Sequence, residues 1–176
     1  MNTCLRIPDR IGERPKTRNG IPHQQLSDNS GGRIYLETRR RFLALPACDV
    51  APSGISVPGA MALFLPESQP CNDEACLFGR EFAHIHPEDD GSFHMCLPHS
   101  TCRRVIESGW GEFHPWVELG KLPPTVVMVF GPRVESEIDV VLDLARASRR
   151  FAQGSSAPLG ALSRGLELPA KGAARE

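Results

Sequence analysis

Apolar and polar positions alternate with two different periods along the middle of this chain, and the ends carry neither. "RIYLETRRRFLAL" predicts a helix that stops before Pro46, because proline cannot continue it. "GISVPGAMALFLP" predicts short strands around a bend at Pro58 and Gly59. Residues 66 to 75 read as a loop. "FGREFAHIH" and "SFHMCLP" then predict two strands either side of a turn. "PHSTCRRVIESG" predicts a short helix with Ser100 as N-cap and Gly109 as its left-handed stop. "TVVMVFGP" reads as a buried strand. The last helix is the clearest: "PRVESEIDVVLDLARASRRFA" places Val134, Ile138, Val141, Leu142, Ala145 and Phe151 near one face, with acidic residues early and arginines late, as the helix dipole favours. The expected fold class is α+β, a two-layer domain with a mostly antiparallel sheet and flanking helices.

The flanks bound that domain. Residues 1–32 are polar and aperiodic and are expected to form a mobile extension. Residues 153–176 are a Gly/Ser/Ala/Pro-rich stretch expected to be a disordered tail. The folded body is expected over 33–152.

Strand parity gives the candidate chemistry. Three of six histidines, His84, His86 and His94, fall around the acidic turn "PEDDG". A five-residue loop over 87–91 pairs His86 with Ser92, His84 with His94 and Phe82 with Cys96. Ile85, Phe93 and Met95 then face the core and all three imidazoles face the other way. A one-residue slip would mix the two sets, so the hydrophobic pattern itself selects this register. His84 and His94 become cross-strand neighbours with Cβ atoms about 5 Å apart. Three uses fit such a face: acid–base or ligand contact near neutral pH, a three-imidazole metal site with an open fourth position, or hydrogen bonding to turn carboxylates. Downstream, "ESGWGEFHPW" adds Trp110, Glu112, His114 and Trp116 in a Gly-bounded loop suited to a pocket wall or lid. Glu112 is placed to orient a histidine by accepting its ring N–H.

Composition narrows the partners. Twenty Lys and Arg against 21 Asp and Glu leave a formal charge of −1, which makes nucleic acid an unfavoured partner. No apolar run approaches membrane-spanning length, and the N-terminus lacks a hydrophobic leader core. A soluble cytoplasmic chain is therefore expected. Six cysteines occur at irregular spacings, and "CNDEAC" lacks the second pair that would complete a zinc site, so reduced thiols are expected.

"EFAHIHPEDDGSFHMCLP", "VIESGWGEFHPW" and "LPPTVVMVFGPRVESEIDVVLDLARASRRFA" resemble the luciferase-domain family of small bacterial and fungal proteins. The family pattern, H-x-H-P, D-G-S-x-H-x-x-L-P, G-W-G-E-x-H-P and P-R-x-x-x-E, falls on His84 to Pro87, Asp90 to Pro98, Gly109 to Pro115, and Pro132 to Glu137. The turn Glu88-Asp89-Asp90 carries one more acidic residue than that pattern. The resemblance runs over about residues 79 to 152, and it implies that the hairpin and the Trp-Gly-Glu loop form one site. It names no reaction, substrate or cofactor.

The leading expectation is a histidine-lined pocket that binds or transforms a small organic molecule. His84, His86, His94, His114 and Glu112 are the candidate catalytic residues, and Asp90, Ser92, Trp110 and Arg133 the candidate substrate contacts, Arg133 for an anionic group. The alternatives are a metalloprotein using His84, His86 and His94, or a non-catalytic protein-interaction module.

Overall fold

The computed structural model describes residues 5–154. The expected C-terminal tail lies almost wholly outside them. Six strands form one antiparallel sheet: β1 (Asp49–Pro52), β2 (Met61–Phe64), β3 (Glu81–Ile85), β4 (Phe93–Cys96), β5 (Gly111–Phe113) and β6 (Val126–Val129). Their order is β1-β2-β3-β4-β6-β5, so β6 returns between β4 and the edge strand β5. Helices α1 (Gly32–Leu43) and α4 (Glu135–Ala152) pack on each other and on the sheet, α4 mainly against β3 and β4. Helix α2 (His99–Glu107) covers β5 and β6. A short α3 (Pro115–Glu118) leads out of β5. The fold is α+β, as the apolar periods predict.

The core explains these placements. Ile138, Val141, Leu142 and Ala145 are fully buried, as the helical stripe requires. Phe42 of α1 meets Phe93 of β4 edge-on at 5.2 Å between ring centres. Val134 departs from the expected stripe: it stands just before the first turn of α4 and is exposed. Helix α2 starts at His99 after Pro98 and has no side-chain cap, so Ser100 is not its N-cap. Gly109 does end that element in the left-handed region, at φ 76°. Two strands escaped the sequence pattern. "DVAP" (β1) is an exposed edge ending in proline, and "GEF" (β5) is three residues long, between Trp110 and His114. Conversely, residues 54–60 form a turn and only "MALF" of the predicted pair is a strand.

The described part of the N-terminal segment lies against the domain instead of standing apart from it. The Trp110 indole donates to the Pro8 carbonyl at 2.6 Å, and the Arg10 guanidinium stacks over Trp110 and Phe130. His23, Gln25 and Ser30 are buried. Gly131 N–H donates to the Gln25 amide oxygen at 2.9 Å, and Ser30 Oγ donates to the Pro132 carbonyl at 2.6 Å. Few of the contacting residues are large and apolar, so hydrophobic periodicity has nothing to register there. No helix among the described residues is long and apolar enough to cross a membrane.

Candidate functional site

The β3–β4 hairpin has the register that parity selects. Ala83 pairs with Met95, His84 with His94 and Ile85 with Phe93, and His86 N–H donates to the Ser92 carbonyl at 2.9 Å. Gly91 closes the turn at φ 71°. The pairings continue across the sheet as one row, Ala62, His84, His94, Met128 and Glu112, on five adjacent strands. These side chains therefore share the face opposite α1 and α4.

One irregularity adds a residue to that face. Between β2 and β3 the register shifts, with Leu63 opposite Ala83 but Phe64 opposite Glu81. The extra residue, Phe82, joins the core, and Glu81 turns back toward His84. The His84 Nδ1–H then donates to Glu81 Oε1 at 2.7 Å. Glu81 is fully buried, and its carboxylate also accepts from Ser53 Oγ (2.8 Å) and the Gly54 N–H (2.9 Å). An equivalent pair holds the next imidazole: His86 Nδ1–H donates to Asp90 Oδ2 at 2.5 Å, while Asp90 Oδ1 accepts from the Ser92 hydroxyl and N–H. Burial pushes the Asp90 carboxyl up, but the hydrogen bonds from His86 and Ser92 outweigh it and hold it below the ordinary carboxylate range.

The N-terminal segment completes the row. His23 bridges His94 and Glu112, with its Nδ1 3.0 Å from His94 Nε2 and its Nε2 2.7 Å from Glu112 Oε1. His94 Nδ1 lies 3.2 Å from His84 Nε2. The result is a continuous line of side chains: Glu81, His84, His94, His23, Glu112. Arg14 pairs with Glu112 at the solvent end. Burial raises the Glu112 carboxyl, yet hydrogen bonds led by His23 hold it low. His114 stands at the N-cap of α3, where its Nδ1 accepts the Trp116 N–H at 3.1 Å. That bond places the proton of a neutral His114 on Nε2.

These imidazoles form the floor of a cavity of about 340 Å³. His23, His84, His86, His94 and His114 line it together with Ile21, Pro22, Ile55, Val57, Leu77, Trp116, Leu122 and Val126. Apolar walls with a few convergent polar groups are the usual build of a small-molecule site. Burial first, and then mutual repulsion among the rings, drives His94 well below the ordinary histidine range. His84 is also lowered, because its burial outweighs the neighbouring Glu81. Burial and the same repulsion bring His114 down to about 4. All three are therefore uncharged at neutral pH.

Four of the expected catalytic residues, His84, His86, His94 and His114, meet at this floor. Glu112 stands behind it and orients His23. Asp90 and Ser92 are buried beneath His86 and brace it without lining the cavity. Trp110 is buried against Pro8 and Arg10, and Trp116 is the tryptophan on the cavity wall. Arg133 lies away from the cavity, in a bidentate pair with Glu137 and bonded to the Ile11 carbonyl. Two members of the site, His23 on the floor and Glu81 behind His84, were absent from the expected set. His23 sits in a segment without a period, and the bulge that turns Glu81 inward leaves no mark on the alternation.

The luciferase-domain profile matches residues 79–148, which hold the hairpin, β5, α3 and most of α4. A luciferase of Neonothopanus nambi is 34% identical and one of Armillaria ostoyae 27% identical, each alignment covering 81% of this chain. The chain spans 59% of the length of these relatives. No solved structure matches it. The three motif blocks of the sequence fall in or beside the matched region, and over residues 79–148 the chain matches the luciferase domain.

Proposed function

We propose that the cleft binds, and acts chemically on, a small organic molecule bearing an acidic O–H group. The observation that carries this reading is the convergence of five imidazoles on the floor of a cavity whose other lining residues, apart from Ser56, are apolar. Apolar walls favour an aromatic or aliphatic body, and uncharged imidazoles on the floor offer both lone pairs and N–H groups to its polar end. His114, with Nδ1 occupied, presents an N–H donor to a carbonyl or developing oxyanion. His84 and His94 are uncharged at neutral pH, so their ring lone pairs are available to that polar end or to an ion that holds it. The fungal relatives are named luciferases. Light emission is not part of the proposal.

Trp116 on the cavity wall supplies the readout. Titrating the protein with a panel of phenols and enolic acids while following tryptophan fluorescence should give saturable quenching by some of them. Ile55→Trp, which fills the partly exposed side of the cavity, should weaken that binding by at least about tenfold, the equivalent of about 1.4 kcal/mol. The reading fails if no panel member saturates, or if Ile55→Trp leaves the affinity unchanged.

A further inference from the structure

The line of imidazoles is one proton short. Four contacts join Glu81, His84, His94, His23 and Glu112, and each needs one hydrogen. The carboxylates at both ends require an N–H facing them, which puts the proton of His84 on Nδ1 and that of His23 on Nε2. Both rings then aim a lone pair at His94. A neutral His94 has a single proton and can answer only one of them. If it donates from Nε2 to His23, its Nδ1 lone pair faces the His84 Nε2 lone pair across 3.2 Å with nothing between.

That gap has the dimensions of a coordination edge. Two nitrogens bound at about 2.0–2.1 Å to a tetrahedral ion stand about 3.3–3.4 Å apart. A third lone pair joins them. His86 gives its Nδ1 proton to Asp90, which leaves Nε2 free, and ring nitrogens of His84, His86 and His94 lie within 4.8 Å of one another. Every ring in this set has its other nitrogen fixed by an acceptor: Glu81 behind His84, Asp90 behind His86, and the His23–Glu112 pair behind His94. Carboxylate-braced imidazoles are the usual support of a metal-bound histidine. A second grouping, His23, His94 and His114, is also close enough. It lacks this support, because His114 Nδ1 already accepts the Trp116 N–H and its Nε2 carries the proton.

We propose that His84 Nε2, His86 Nε2 and His94 Nδ1 bind one divalent first-row transition ion, zinc being the ion best suited to three imidazoles with an open fourth position. All three rings line the cavity, so the open position faces the bound molecule, whose oxygen would occupy it. The proposal rests on the pocket reading for that last ligand and on the three rings alone for the ion.

The test is made on untagged protein stripped with a chelator and titrated with Zn²⁺ and with Co²⁺ at neutral pH. One ion per chain should bind, and the cobalt form should show the visible absorption of a nitrogen-rich, four- or five-coordinate site. Glu81→Gln, which keeps an acceptor for His84 but removes the charge, should weaken binding by about 10- to 100-fold. His86→Phe should abolish it, whereas His114→Phe should leave metal affinity unchanged. If His86→Phe does not fold, the cobalt spectrum and Glu81→Gln carry the test. Absence of stoichiometric binding overturns the proposal, as does affinity that depends on His114 and not on Glu81 or His86. Ligand affinity that is unchanged when the metal is removed overturns the assignment of the ligand's oxygen to the open position, and leaves both the three-ring ion site and the pocket reading standing.

Discussion

His94 is the residue on which the site turns. It is buried in the centre of the sheet row, between His84 and His23, and both of its nitrogens face other imidazoles. Burial keeps it uncharged in the fold, whereas in the unfolded chain it titrates near the ordinary histidine value of about 6.5. The same holds for His84, and for His114 with its lowered value of about 4. Between those limits the unfolded chain binds more protons than the folded one, so stability rises with pH across that range. The stabilisation is complete above about pH 6.5 and is lost as the pH falls toward 4. After discounting for its partial exposure, His114 alone should account for on the order of 1–2 kcal/mol. Urea unfolding of metal-free protein across that range checks this. A flat stability between those limits would mean that these rings are not buried as described. At this scale the sequence was informative about one face only. His84, His86 and His94 declare themselves by parity, but His23 needs a tertiary contact to join them, and no local pattern records such a contact.

At the scale of elements, the β3–β4 hairpin was legible because apolar residues and histidines alternate from Ala83 to His86 and from Phe93 to Met95, and its turn carries Pro87 and Gly91. Strand β5 was not, because three residues cannot show a period. What fixes β5 is the close approach of its backbone to β6. Gly111 pairs opposite Val129, and a Cβ there would overlap the Met128 carbonyl. Gly111→Ala should therefore push β5 off the sheet edge and carry Glu112 away from His23. Chemical denaturation should show a loss of about 3 kcal/mol, at the upper end of the overpacking range. A near-neutral result would show that β5 is held by something other than this contact. The N-terminal segment is the other illegible element. Its contribution is polar (His23 to Glu112, Gln25 to Gly131, Ser30 to Pro132), and polar docking leaves no hydrophobic signature.

For the molecule as a whole, the sheet divides labour between its faces. One face carries the apolar core under α1 and α4. The other carries the imidazole row, roofed by the N-terminal segment and bordered by the residue 53–57 turn and α3. The roof and the braces belong to one design: Glu81, Asp90 and Glu112 each hold a ring by its far nitrogen, so the near nitrogens of His84 and His23 face His94 and Nε2 of His86 is left free. The central claim is this orientation, since both the ligand pocket and the metal site depend on it. Ring-nitrogen NMR of metal-free protein labelled with ¹⁵N-histidine measures it directly, because protonated and unprotonated imidazole nitrogens resonate far apart. The expected result is a proton on Nδ1 in His84 and His86 and on Nε2 in His114. Protons on Nε2 of His84 and His86 would contradict the account, because the carboxylates behind those rings would then not be holding them.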